Sequence, residues 1–320
     1  MINVDRFYTG RYNGIMDLQL SKHSIYFFHS GLEERSSPAD DREWEESTGA
    51  MFVDVALSNA AKDMGKLSSG EVFSLRSQEQ IESLLLKNGL CDIYLDSSGM
   101  SVCVLAPLLK YSLELSNRTG VKVYVVYVEP IKYNVSKFKE GSRFYDLAEG
   151  FKGISPLPSL ESIIPSYGKS ALIPMLGFEG GRFAHVLSQL SSEDDLIIPI
   201  VGVSGYRPEY PFITYSGNRR ALEDTESWAK IHFAMAGSVV DAFLELLRIR
   251  DKHQKNIRHW KIAPIGTKPH AIAALLFAIL LPREVEIVYD NPTREKPRTK
   301  GVGRVSVTCV SDLIGDNHVS

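Results

Sequence analysis

Cysteine is scarce in this chain. Cys91, Cys103 and Cys309 are the only three, too few and too widely spaced for a disulfide framework or a Cys-rich zinc site. Neither sign of charge dominates: 36 Lys and Arg stand against 39 Asp and Glu, a formal net charge of -3. That excludes a dominant nucleic-acid footprint but leaves a local one open. Long hydrophobic runs are missing too. The longest, Ala271–Leu281, falls short of the roughly 20 residues a membrane span needs. The opening MINVDRFYTG lacks a signal-like apolar core. These absences predict a cytoplasmic protein with no membrane partner. Three catalytic signatures are also absent: the GxSxG elbow, the HExxH helix and a complete GxGxxG turn. Neither a metal nor a cofactor is expected.

What is present is enough apolar material, 44% of 320 residues, to build two domains rather than one. The most informative stretch is Trp260–Pro292, WKIAPIGTKPHAIAALLFAILLPREVEIVYDNP. Trp260–Ile265 reads as a short buried strand and Gly266-Thr267-Lys268-Pro269 as a turn. His270–Leu281 reads as an apolar helix, with Pro269 at its first position, where a missing amide proton costs nothing. Glu284–Tyr289 is a second strand, closed by Asp290-Asn291-Pro292. Strand, glycine turn, helix and strand make the βαβ unit of an open α/β sheet. Ligands of such sheets sit beyond the carboxyl ends of the strands, where Gly266, Thr267, Lys268 and Asp290 fall. A close backbone approach, a hydroxyl and a cation at a helix N-terminus suit a phosphate. An ordinary tight turn with a solvated lysine uses the same residues, since the full Walker A spacing is absent.

The first half of the chain has a similar outline. Ser24–His29 is a buried strand opening onto SGLEERS, which places Glu33 and Glu34 in the exit loop, either one a metal ligand, a base, a ribose contact or a surface ion-pair partner of Arg35. Met51–Leu57 is a strand in which Asp54 requires an edge position or a polar partner. Gln78–Lys87 is a helix closed by Asn88-Gly89. Asp92–Leu95, the polar turn Asp96–Met100, the helix Ser101–Ser116 and the strand Val121–Val128 follow. Gly99 lies in that turn, Glu129 at the end of the last strand, and Pro107 predicts a kink or a late helix start. The parallel with Gly266 and Asp290 predicts an α/β protein of two tandem Rossmann-like lobes with mainly parallel sheets, residues 1–165 and 166–320.

The glycine- and proline-rich stretch from Tyr133 to Leu190 reads as a connection. Within it, Gly177–Arg182 is either an anion turn or a helix start packed on a sheet. Leu196–Val203 is a strand whose exit carries Tyr206, Arg207 and Tyr210, a contact set for a planar or phosphate-bearing ligand. Asn218–Ile249 holds the longest helical pattern. After Pro292 come Arg294, Lys296, Arg298 and Lys300, a basic loop able to close over a polyanion or to keep an edge soluble. Arg304–Val310 is the expected last strand.

IAPIGTKPHAIAALLFAI followed by EVEIVYD resembles the GTK-containing segment of CARF and related Rossmann-like sensors, carried here by Gly266, Thr267 and Lys268. Ile265 stands where the common form has the first of two glycines. The doubled α/β layout resembles the paired lobes of SAVED domains. The resemblance implies a sensor of prokaryotic antiviral defence that binds a phosphate-bearing nucleotide or short cyclic oligonucleotide, with a separate effector protein and a homo-oligomeric state as expected partners. The alternatives are a nucleotide or NAD hydrolase, with Glu33, Asp96 or Glu129 as catalytic carboxylate, and a non-catalytic interaction module.

Overall fold

The computed structural model describes residues 9–31, 33–37, 42–58, 61, 63–134, 136–137, 143–144, 150–151, 153–161, 168–190, 195–293 and 297–314. The chain divides into two compact units, Met1–Tyr133 with Pro297–Ser320, and Asn134–Lys296. This division differs from the expected boundary after residue 165. The last strand pairs antiparallel with the strand that starts at Val123, so Pro297–Ser320 belongs with the first unit instead of the second.

In the first unit the order is β1 (Thr9–Tyr12), β2 (Ser24–Phe28), α1 (Arg42–Thr48), β3 (Met51–Leu57), β4 (Met64–Leu67), β5 (Val72–Ser74), α2 (Gln78–Leu85), β6 (Asp92–Asp96), α3 (Val102–Thr119) and β7 (Val123–Tyr133). The second unit holds β8 (Ser136–Lys137), β9 (Arg143–Phe144), β10 (Gly150–Phe151), β11 (Lys169–Leu176), α4 (Gly180–Leu190), β12 (Leu196–Ile197), β13 (Ile200–Gly202), α5 (Tyr210–Asp224), β14 (His232–Ala234), α6 (Val239–His253), β15 (Ile257–Ala263), α7 (Lys268–Leu280), β16 (Val285–Ile287) and β17 (Pro292–Thr293). The chain then returns to the first unit with β18 (Thr299–Cys309) and α8 (Ser311–Ile314).

The first sheet runs β1-β18-β7-β6-β2-β3-β4-β5 and is mixed. Its centre, β7, β6, β2 and β3, is parallel, and antiparallel strands flank it on both sides. Alternation along β2 sends Tyr26 and Phe28 to one face. There they cluster with Leu18, Trp44, Tyr94, Val126, Val128, Val305 and Val307. Trp44 brings α1 onto this face: its ring meets Tyr26 edge-on at 5.8 Å, and its indole N–H donates to Leu18 O at 3.0 Å. The intervening Ile25 and Phe27 are fully buried, and α3 packs against β3, β6 and β7. Ser101 caps α3. The helix runs unbroken through Pro107, so no late start occurs. β7 extends to Tyr133 because β18 keeps pairing with it beyond the end of β6. Glu129 therefore lies inside a strand, not at its exit.

The second sheet runs β14-β13-β11-β15-β16, with β12 also on β11, and every pair is parallel. Its central strand, β11, falls in the stretch read from sequence as a connection. Pro174 is tolerated there because the pairing of β11 with β12 and β13 lapses between Leu172 and Met175. The helical pattern within Asn218–Ile249 divides into the end of α5 and most of α6, separated by Glu226 in the left-handed region, φ 51°, and by β14, which pairs with β13. The apolar α7 is buried from Pro269 to Ile279. In each sheet the crossovers diverge at one point, between β2 and β6 and between β11 and β15, which leaves the loops at those carboxyl ends side by side.

Trp44→Ala should lower the stability of the first unit by about 3–5 kcal/mol, the cost of emptying a large aromatic site. Urea unfolding followed by near-ultraviolet circular dichroism checks this; a change below about 1 kcal/mol would mean that α1 does not close the Tyr26 face.

Candidate functional site

Two strand exits meet at the divergence point of the second sheet. The β11 exit is held by Asn218, whose Nδ2 donates to Gly177 O at 2.7 Å and to Thr214 O at 2.8 Å. Arg182, on the first turn of α4, fixes the β15 and β16 exits together. Its Nε and Nη2 donate to the two oxygens of Asp290 at 2.7 and 2.6 Å, and its Nη1 donates to Ile265 O at 3.0 Å. Both side chains are buried. Burial disfavours the guanidinium charge, but hydrogen bonds and charge from Asp290, with Glu179 nearby, raise the Arg182 pKa above its ordinary value.

This corrects the expectation for Asp290. It lies at the carboxyl end as predicted, but its carboxylate is a fork-to-fork partner of Arg182 and is closed to ligand. Gly266 has a packing use as well. A Cβ there would stand 2.7 Å from Leu176 O and 2.9 Å from Met175 O, so glycine lets the β11 and β15 exits touch backbone to backbone. Thr267 is the N-cap of α7. Its Oγ1 accepts from His270 N at 3.4 Å and donates to Ala236 O at 2.7 Å. Lys268 takes the first helical position, with Pro269 behind it. The Pro269 and His270 positions therefore offer an anion no amide, and the Lys268 side chain, half-buried, is the main cationic element of the turn.

The turn between β14 and α6 carries the rest of the arrangement. Ala236 O also accepts from Tyr206 OH at 3.1 Å. Met235 O accepts from His270 Nε2 at 3.2 Å, and Met235 N donates to Asp241 Oδ2 at 2.6 Å. His270 is fully buried, which pushes its pKa down to about 4; the ring is neutral at pH 7 and serves as a clamp. Tyr206 and Thr267, with Lys268 next in the chain, are thus gathered at one turn. Arg207 follows Tyr206, with its Nη1 3.9 Å from Glu209. Arg294 and Lys296 lie outside the described residues. The clamp residues Met235, Ala236 and His270 were not identified from sequence. The nearby Ser238-Val-Val-Asp241 pattern marks only the start of α6, where Ser238 accepts from Asp241 N at 3.1 Å.

No protein-family model and no curated protein matches this chain.

The first unit uses its predicted residues structurally. Glu33 Oε2 accepts from Arg35 Nε at 2.8 Å and Thr299 Oγ1 at 2.7 Å, and Oε1 accepts from Arg298 Nε at 3.1 Å. Arg35 is buried, donates to Val128 O at 2.7 Å and lies over the Tyr127 ring. Burial works against the Glu33 charge, but Arg35, Arg298 and the Thr299 hydroxyl outweigh it and bring the pKa down to about 2. A carboxylate so stabilised is a weak base. Asp96 is 1% exposed and accepts from Tyr26 OH at 2.9 Å and Ser98 N at 2.8 Å; burial raises its pKa. It is a core anchor without access to substrate. Glu129 is half-buried within β7; burial raises its pKa against the opposing charges of Arg11 and Arg304. A Cβ on Gly99 would stand 2.1 Å from His29 O, so this glycine packs two exits together instead of admitting a ligand. Asp54 has its polar partners, His29 Nδ1 at 3.0 Å and the Ser30 hydroxyl. Among the described residues no cluster of three or more His, Cys, Asp or Glu could hold a metal ion, and no helix is long and apolar enough to cross a membrane.

Two stability predictions follow from these ion pairs. Arg182→Met should cost about 3–5 kcal/mol by stranding a buried carboxylate, and Arg182→Met with Asp290→Leu should recover part of that loss; chemical denaturation of both variants checks it. For Glu33, the folded pKa of about 2 lies below its ordinary value of 4.5. Its stabilisation, about 3 kcal/mol, is present above pH 4.5 and is lost as pH falls towards 2. Unfolding free energies measured from pH 6 to 2.5 should converge between wild type and Glu33→Gln; a constant gap would contradict the assignment.

Proposed function

We propose that the second unit binds a nucleotide or short oligonucleotide through the turn at Lys268, and that the protein is a second-messenger sensor in prokaryotic antiviral defence. The observation that carries the binding proposal is the gathering of Tyr206 and Thr267 on Ala236 O, beside Lys268, at the carboxyl end of a parallel sheet. A lysine there supplies a mobile point charge suited to phosphate. Strand order supports the Rossmann-like reading of this unit. Numbered from β11 and setting β12 aside, the strands stand 3-2-1-4-5, an order associated with nucleotide binding at the divergence point. The parallel centre of the first sheet, numbered from β2 without β4 and β5, stands 2-1-3-4, the other common doubly wound order.

The defence role rests on the resemblance of the GTK segment to CARF-type sensors, and the separate effector polypeptide and homo-oligomeric state belong to the same proposal. A sensor is favoured over a hydrolase because Glu33 is committed to an ion cluster and Asp96 to the core. The enzymatic alternative would need a base other than these two.

Incubation with a nucleotide and oligonucleotide panel, followed by mass spectrometry of bound ligand and products, tests the reading. Saturable binding of an intact molecule is expected. Turnover would favour the hydrolase, and neither binding nor turnover would favour an interaction module. Lys268→Ala should weaken the phosphate-bearing molecule so identified by about 1–3 kcal/mol, the scale of a lost charge-assisted contact, with Lys268→Arg restoring part. Equal affinity of wild type and Lys268→Ala in calorimetric titration would remove the site from this turn.

A further inference from the structure

β13 and β14 pair in parallel as Ile200 with His232, Val201 with Phe233 and Gly202 with Ala234. One residue further on, Val203 N donates to Ala234 O at 2.8 Å, so Val203 and Met235 are neighbours across the strand ends. Both lie just past the ends of β13 and β14. Val201 is fully buried, but Val203 is 39% exposed and Met235 37%, and Phe233, on β14 itself, is 52% exposed. Val203 and Met235 therefore form a partly exposed apolar pair just beyond the strand ends.

Their position says what would cover them. Met235 is the residue whose carbonyl His270 clamps, and the next carbonyl, Ala236 O, receives Thr267 and Tyr206. The apolar pair thus adjoins the turn that carries Lys268, with Arg207 one residue beyond Tyr206. An apolar surface next to cations complements a molecule with a flat apolar end and an anionic end. A protein strand is the less suitable occupant, because β14 offers an edge of only three residues, a length that discourages strand addition. We infer that Val203 and Met235 form a ledge for the base of a nucleotide whose phosphates lie at Lys268, an inference that rests on the nucleotide-binding reading above.

Calorimetric titration with ATP, GTP, CTP and UTP, and separately with inorganic tripolyphosphate, separates the two claims. At least one nucleoside triphosphate should bind wild type more tightly than tripolyphosphate. Val203→Ser and Met235→Ser, both at exposed positions, should each weaken that nucleotide roughly tenfold, the scale of one base contact, and leave tripolyphosphate unchanged. Lys268→Ala should weaken both probes. Tripolyphosphate binding wild type as tightly as every nucleotide, or the ledge variants weakening both probes alike or neither, would overturn the ledge while leaving the phosphate site. Failure of all five probes to bind wild type would overturn the ledge together with the reading beneath it.

Discussion

The carboxyl end of the second sheet depends on one buried ion pair. Arg182 reaches from the start of α4 to both oxygens of Asp290 and to the carbonyl of Ile265, so a single planar group ties together a helix and two strand exits. Taking the two charges out of water costs several kcal/mol each, and their bidentate contact offsets that cost only while the geometry is kept. The return for this cost is position: Gly266 is pressed against the backbone of Leu176, and Thr267 is left where it can cap α7 and reach Ala236.

The first unit meets the same problem in a different way. Its exit loop after β2 is held by Glu33, Arg35, Arg298 and Thr299, which link that loop to β7 and to the start of β18. Here the ionic cluster secures the place where the chain leaves for its second unit and returns from it. The polar groups around the β2 and β6 exits are spent on one another: Asp96 on Tyr26 and Ser98, and Ser36 on Gly31 and Glu33. The exits of the second sheet use the same device, with Tyr206 and Thr267 both donating to Ala236 O, and they carry the partly exposed Val203 and Met235 just beyond the strand ends.

Glycine and carboxylate residues at strand exits had two readings, and packing took most of them. A glycine at a divergence point is needed whether the approaching atom belongs to a phosphate or to the neighbouring loop. A carboxylate beyond a strand can face a substrate or an arginine. Gly99, Gly266, Asp290 and Glu33 all found protein partners. The free energy of leaving a buried polar group unsatisfied favours such pairing wherever the chain can supply the partner.

Local pattern alone located strands at Ser24–His29, Met51–Leu57 and Trp260–Ile265, the helices α2, α3 and α7 to within a few residues, and the mixed α/β class, because alternation, apolar runs and caps act over a few residues; that β15 starts three residues earlier, at Ile257, came only with the sheet. It also placed Gly266, Thr267 and Lys268 at the turn between β15 and α7. Tertiary structure decided the rest. β11 carries Pro174 and was legible as a central strand only once its neighbours left a gap in the ladder opposite that residue. β18 reads as a strand in any context, but its membership of the first sheet depends on pairing with β7, 166 to 185 positions earlier in the chain. Asp290 looks available in sequence and is closed by an arginine 108 positions away. Met235, Ala236 and His270 carry no local signal of a clamp, since their roles arise from hydrogen bonds between strand exits that meet only after the sheet has formed.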